Sequence, residues 1–425
     1  MPEHSFIIKG DICHSLAPGE LECAGGAYLV CEDGRSAGIF REIPERWAGL
    51  PVEDCTGRLV LPGLVDLHVH ASQFAYRGTG MDVELLDWLN ACAFPEESRF
   101  ASHEYAREAY RRFVEDVRRG PNTRACVFAT AHAEATLLLM DQLEDSGLVT
   151  MVGKVSMDSA APDSLREPDA ESALASVRTW LDAAEGRYER TTPMLTPRFI
   201  PSCSAELLEG LGGIRRERGL AVQSHLSENR SEVELVHSLF PDSAFYGAAY
   251  DRFGLFGGEG GPTVMAHCVL SEQPELELIR ERGVYIAHCP ASNMNVSSGI
   301  APVRRFLDMG LHTGLGSDVA GGTVTSIFRA MADAIQVSKL RWRLVDGSLS
   351  ALTAPEAFHL GTAGGGELFN TGSFRPGMEF DAIVMDDRRY SPPGESDIPT
   401  RLERTIYLSD DRDIEHKFVR GRRLF

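Results

Sequence analysis

Residues 61–73 read LPGLVDLHVHASQ. A Pro-Gly turn opens a short apolar run, and the run closes on His68 and His70. Residues two apart on a strand point to the same face, so both imidazoles project together from the strand's end. Imidazole suits zinc, which makes the pair a candidate for metal binding. A strand that is apolar along its length, as this one is, belongs in a sheet covered on both faces.

Seven further runs have the same character: RACVFAT (124–130), LVTMVGKVSM (148–157), TPMLTPRF (192–199), LAVQSHLSE (220–228), PTVMAHCV (262–269), GVYIAHCP (283–290) and LHTGLGSDV (311–319). Amphipathic segments lie between them at 101–119, 169–188, 204–219, 229–240 and 273–283. Eight short strands alternating with helices predict an α/β fold, a (β/α)8 TIM-type barrel over residues 61–374. A doubly wound open sheet is the alternative, but no G-x-G-x-x-G follows any of the strands. Residues 1–60 and 375–425 carry short strands punctuated by Gly, Asp and Pro, and together predict a small β-sandwich domain built from both termini.

In a barrel, sites gather where the strands end. Here those ends carry His68, His70, Arg198, His225, Glu228, His267, His288 and Asp318. Buried strand ends do not collect histidines and carboxylates unless the groups are paired or hold a metal. His225 offers a third imidazole. Asp318, set in GLGSDVAGG, offers an anionic oxygen in a backbone that can crowd a site closely. Three His and one Asp therefore make a ligand set for one Zn2+, with water completing it. Glu228 stands where it could carry protons beside the metal, and a helix-capping carboxylate is an equal reading of that position. His267 could bond to charge developing on substrate or water. His288, before a proline turn, reads as loop-shaping, and Lys154 as structural.

A catalytic zinc makes hydroxide available near neutral pH. Attack on the carbon bearing an amino group of an electron-poor heterocycle would expel ammonia, provided that a shuttle protonates the leaving nitrogen. Asp318 could take the first proton from the water.

The formal net charge of -20 argues against a nucleic-acid or membrane partner, both of which are anionic. A small-molecule substrate is the default. Nine cysteines without C-x-x-C spacing read as reduced thiols of a cytoplasmic protein. The opening MPEHSFIIKGD lacks the basic-then-apolar pattern of a secretory leader.

LPGLVDLHVHASQ resembles the opening metal motif of the amidohydrolase superfamily, and SHLSEN, AHCPASNMNVSSG and GLGSDVAGG resemble its chlorohydrolase and deaminase branch. HASQFAYRG, LLDWL, FPEESRF, FATAH, GKVSMD, TPRF, QSHLSENRSEVE and YLSDDRDIEHKFVRG are similar to runs of the guanine deaminases, and the resemblance extends from about Leu59 onward. It implies one zinc per subunit on His68, His70, His225 and Asp318, with Glu228 as proton shuttle and His267 and Asp318 as catalytic groups. It also implies that Gln73, Arg198, Phe199, His225 and Glu228 meet a purine, with Arg198 bonding the C6 oxygen, and that the protein is a homodimer. The implied reaction is guanine and water to xanthine and ammonia, in purine catabolism. The same machinery acting on a pterin, 8-oxoguanine, cytosine or a triazine is the alternative; cyclic-amide or halide hydrolysis and a metal-free scaffold are more distant ones. Residues 82–94, with Trp88, are read either as part of a lid or as an ordinary amphipathic helix.

Overall fold

The computed structural model describes residues 4–394 and 396–425; Met1 to Glu3 of the first β segment, and Glu395 of the last, lie outside them. The chain starts with β1 (Phe6–Ala17), β2 (Glu20–Glu32), β3 (Arg35–Phe40) and β4 (Val52–Pro62). After the Gly63 turn comes β5 (Leu64–His70), whose seven residues are all buried. There follow β6 (Asn122–Phe128), β7 (Val149–Gly153), β8 (Val155–Ser156), β9 (Thr191–Pro193) and β10 (Thr196–Pro197). Then come β11 (Val222–Leu226), β12 (Thr263–His267), β13 (Tyr285–His288) and β14 (Thr313–Leu315), and last β15 (Ala382–Met385), β16 (Ile414–Val419) and β17 (Arg422–Arg423).

The middle of the chain is α/β with parallel pairing. β5-β6-β7-β9 form one four-stranded sheet, β11-β12-β13-β14 another, and β8 pairs with β10. The regular ladders do not run round a closed ring, unlike the barrel expected from eight alternating strands. Pro193 and Pro197 have no N–H to give, and the expected strand 192–199 is cut into β9 and β10. Backbone bonds cross both gaps between the four-stranded sheets. Leu195 bridges to Val222 on one side. On the other, Asp318 N–H donates to His68 O (2.8 Å) and His70 N–H to Val319 O (3.1 Å). One buried cluster draws Val65, Leu67, Cys126, Met194, Val264, Ala266, Ala287 and Cys289 from both sheets.

The strands of the two ends form one continuous sheet, β17-β16-β15-β4-β1-β2-β3. This corrects the expected sandwich of two stacked sheets: β4 pairs parallel with β1 on one edge and antiparallel with β15 on the other, which stitches the halves into a single ladder. Ile8, Ile12, Leu29, Val60, Phe374, Phe380, Val384 and Phe418 make its own apolar cluster.

The five amphipathic segments read from the sequence are helical at His103–Arg119, Ala170–Ala184, Ala205–Arg218, Arg230–Leu239 and Gln273–Arg282. Ser102, Asp169, Ser204 and Asn229 cap the first four, their side chains accepting from exposed N–H groups of the first turn. Further helices run over Ala133–Ser146, Ile327–Leu344 and Ile398–Leu408. Among the described residues, no helix is long and apolar enough to cross a membrane.

Candidate active site

The segments following the strands put one pocket at their C-terminal ends. Its lining includes His70, Gln73, Leu85, Trp88, Arg198, Phe199, His225, Glu228, His267 and Asp318. His68 stands against the same cluster, its Nε2 3.1 Å from Asp318 Oδ1. Every site residue singled out from the sequence is therefore brought to one place. Lys154 is not: it is buried against Glu167 (2.5 Å), as a structural residue would be. His288 is buried, but neither ring nitrogen has a hydrogen-bond partner among the described residues, so no such bond supports the loop-shaping reading.

At the centre, His70 Nε2 lies 3.2 Å from His68 Nε2, 3.3 Å from His225 Nε2 and 3.3 Å from Asp318 Oδ1. Ligands about 2.0–2.1 Å from a tetrahedral zinc stand about 3.3 Å apart along the tetrahedron's edges. The donors present therefore fit one such ion. Burial holds His70 down to about 4 and, with its imidazole neighbours, His225 well below the usual histidine range. The rings are thus neutral, the form that ligates a cation. Against burial, the facing His68 and His70 keep the Asp318 carboxyl well below its ordinary value, and so ionised.

Neighbouring groups orient these ligands. His225 Nδ1–H donates to Arg198 O (2.5 Å), which turns the Nε2 lone pair to the centre. Asp66, absent from the sequence reading, accepts from the backbone N–H of His68 (3.1 Å) and Ser317 (3.0 Å), and from the Ser317 hydroxyl (2.5 Å). It ties the strand that carries two histidines to the loop that carries Asp318. That loop passes so close that a Cβ on Gly316 would lie 2.7 Å from Cys289 Sγ and 2.9 Å from His68 Cβ. Asp318 and His267 sit at φ +45° and +78°, a region that ordinary residues rarely occupy outside constrained sites.

Beside the centre, His267 Nε2 is 3.4 Å from Glu228 Oε2 and 3.7 Å from Asp318 Oδ2. Asn293 Oδ1 accepts from His267 Nδ1 (2.9 Å), and Ser298 donates to Glu228 Oε1 (3.2 Å). Burial, then the Asp318 charge, push the Glu228 carboxyl up to about 8. A carboxyl shifted this far can hold and release a proton near neutral pH.

A second cluster lies across the pocket. Arg198 makes a two-pronged ion pair with Glu97 (2.5 and 3.0 Å), and Gln73 Nε2 donates to the same carboxylate (2.8 Å). Glu97 was missed at the sequence level; its signal is the second glutamate of FPEESRF. Residues 85–93 are a helical turn running into a wider one, and they contribute Leu85, Trp88 and Leu89 to the pocket wall.

The Amidohydrolase family profile matches residues 59–424. Human guanine deaminase is 36% identical, with 100% of this chain and 97% of the human protein covered. Mouse guanine deaminase is 39% identical, over 100% of this chain and 97% of its own. Among solved structures, guanine deaminase from C. acetobutylicum with bound guanine in the active site superposes with a TM-score of 0.96 at 41% identity, covering 99% of this chain and 100% of that one. The chain belongs to the amidohydrolase family.

Proposed function

We propose that this protein is a zinc-dependent guanine deaminase, converting guanine and water to xanthine and ammonia in purine breakdown. The observation that carries the reading is the placement of Arg198 and Gln73 in the same pocket as the His/Asp/Glu centre, in a chain that aligns end to end with guanine deaminases. His68, His70, His225 and Asp318 would hold one Zn2+ per subunit. When bound, the ion supplies a hydroxide nucleophile at neutral pH.

The chain's own groups do the rest. Arg198 donates to the C6 oxygen, Gln73 meets the ring edge, and Phe199 packs beside the base. Asp318 accepts a proton from the attacking water as the C2–O bond forms. Glu228 protonates the adjacent ring nitrogen, takes up the proton of the new C2–OH group and passes it to the exocyclic nitrogen, so that the C2–N bond breaks, the C2 carbonyl forms and neutral ammonia leaves; the proton on Asp318 then restores Glu228. His267, its Nε2 3.4 Å from Glu228 Oε2 and 3.7 Å from Asp318 Oδ2, hydrogen-bonds to the oxygen arriving at C2.

Several further readings accompany this one. The strands β5 to β14 form a closed (β/α)8 barrel, a view supported by the backbone bonds across both gaps and by the interior cluster drawn from both sheets. Residues 61–374 are the catalytic domain, and 1–60 with 375–425 a β domain, supported by the separate apolar cluster of the end strands. Nine free thiols support a reducing, cytoplasmic setting. A homodimer follows from the family likeness, and the exposed Leu340, Leu344 and Val345 offer an apolar surface for it.

The decisive experiment is ammonia release from guanine by the purified protein, before and after chelation and again after zinc is restored. Turnover that disappears on chelation and returns with zinc is the expected result. Release from a pterin or cytosine but not from guanine would overturn the substrate.

A further inference from the structure

Glu97 is 2% exposed and does not line the pocket, whereas Arg198 and Gln73 do. Its carboxylate bonds to both side chains. Oε2 accepts from Arg198 Nη1 (2.5 Å), and Oε1 accepts from Arg198 Nη2 (3.0 Å) and from Gln73 Nε2 (2.8 Å). On its other side, Gln73 Oε1 accepts from the backbone N–H of Ala320 (3.2 Å), two residues beyond Asp318.

We propose that Glu97 is a specificity-determining positioning residue: it presents Arg198 and Gln73 to a neutral ring that carries a carbonyl oxygen. The inference rests on the deaminase reading above. A guanidinium has five N–H donors in a rigid plane, and a two-pronged carboxylate takes one from each terminal nitrogen. The plane is then fixed, and three donors remain for a carbonyl. A primary amide can sit in either of two flips with nearly the same shape. Donation to Glu97 and acceptance from Ala320 select one of them, which leaves one N–H and one oxygen lone pair for the ring edge.

Charge supplies the rest of the argument. A lone buried guanidinium attracts anions. Paired with Glu97, Arg198 offers directed donors without a net positive charge, which favours a neutral lactam over an anionic ring. The phenyl ring of Phe94, 4.9 Å below the guanidinium, closes the other face. Phe94 and Glu97 lie in one short helix, Phe94–Ser98, so a single element sets both the plane and the charge.

The test compares the zinc-loaded full chain with Glu97→Gln. Three quantities are read: KM and kcat for guanine, zinc content, and inhibition by 2-aminopurine, which is guanine without the carbonyl oxygen. The expected result is a guanine KM raised about tenfold or more, the scale of a lost charge-assisted hydrogen bond. The fall in kcat is smaller, zinc is retained, and the 2-aminopurine constant rises much less than the guanine KM, because that ring lacks the carbonyl Arg198 would meet. Glu97→Asp, which keeps the charge, recovers part of the loss. Equal weakening of guanine and 2-aminopurine, or zinc lost in step with activity, would assign Glu97 a merely structural role and overturn the proposal. Should Glu97→Gln not fold, Glu97→Asp carries the same comparison. A wild type that is active on guanine beside a variant of equal KM sinks this inference alone; a wild type inactive on guanine sinks the reading beneath it as well.

Discussion

Two places in this molecule bury charged and titratable groups, and they do so in opposite ways. Where the terminal sheet meets the parallel strands, the buried charges of Arg124 and Lys417 are answered. Arg124 on β6 pairs with Asp381 (2.5 and 2.7 Å) and Glu379 (2.9 Å), and Lys417 on β16 donates to Val117 O, Arg118 O and Gly120 O at 2.8–3.1 Å. Those carbonyls sit at the C-terminal end of helix His103–Arg119, where a cation also complements the helix dipole. At the other end of the strands, three imidazole nitrogens and a carboxylate oxygen converge at separations of 3.1–3.3 Å. Satisfied burial holds the fold together. Convergent burial of groups that ligate metals marks the place where a cation and a reaction belong.

The sharpest way to break that contrast is at Glu228. Glu228→Gln keeps the shape and the zinc ligands but removes the proton carrier. We expect kcat on guanine to fall by roughly 10²–10⁴-fold with zinc content unchanged; a native rate would remove Glu228 from the chemistry. Arg198→Met comes next. It leaves the centre intact, and kcat/KM for guanine should drop on the order of a hundredfold, because a site built around a hydrogen bond discriminates strongly once that bond is gone. Unaltered kinetics would end the C6-oxygen assignment.

Asp381→Asn probes the opposite end. Removing one partner of a buried ion pair should cost about 3 kcal/mol of stability, read by urea unfolding, while kcat stays at the wild-type level. A loss of turnover without a loss of stability would blur the distinction drawn here.

The smallest effect concerns Glu232, whose carboxylate accepts from the backbone N–H of Glu228 (3.0 Å) and Asn229 (3.2 Å) and from the Tyr246 hydroxyl (2.8 Å). Burial, then the Glu228 charge, push it up to about 7 from an ordinary 4.5. The folded protein therefore holds a proton there that the unfolded chain has released. Stability from this group is fullest below pH 4.5, declines as pH rises towards 7 and is flat above. In Glu232→Gln the decline of the unfolding midpoint across that range should become shallower; an identical slope would refute the linkage.

The sequence discloses the strands because burial on both faces writes short apolar runs, as in the ACVF (125–128) of β6 and the TVMA (263–266) of β12. It discloses less where burial is uneven. Helix Ala133–Ser146 contains LLLM, four apolar residues in a row, which breaks the regular stripe that marks a surface helix. Helix Ile327–Leu344 buries residues on nearly every side of its first half and shows no clean period. The site residues are legible because a histidine or carboxylate at the end of an apolar strand stands out against its neighbours. Glu97 does not stand out. It sits in a charged helical turn beside Glu96 and Arg99, and its meaning comes from Arg198, a hundred residues away along the chain. Asp66 is silent for the same reason, since its partner Ser317 belongs to the far end of the strand series.

The pairing of β4 with β15 has a consequence for the birth of the protein. Pro62 meets Ala382 and Val60 meets Val384, so an early strand waits for one of the last to be synthesised. At about 5–20 residues per second, a ribosome needs on the order of tens of seconds to cover that stretch. Throughout that time β4 presents an unpaired apolar edge, the form of surface from which strand aggregation starts. Completion of the sheet is therefore a late event of folding, and changes near residues 382–385 should register in soluble yield before they register in catalysis.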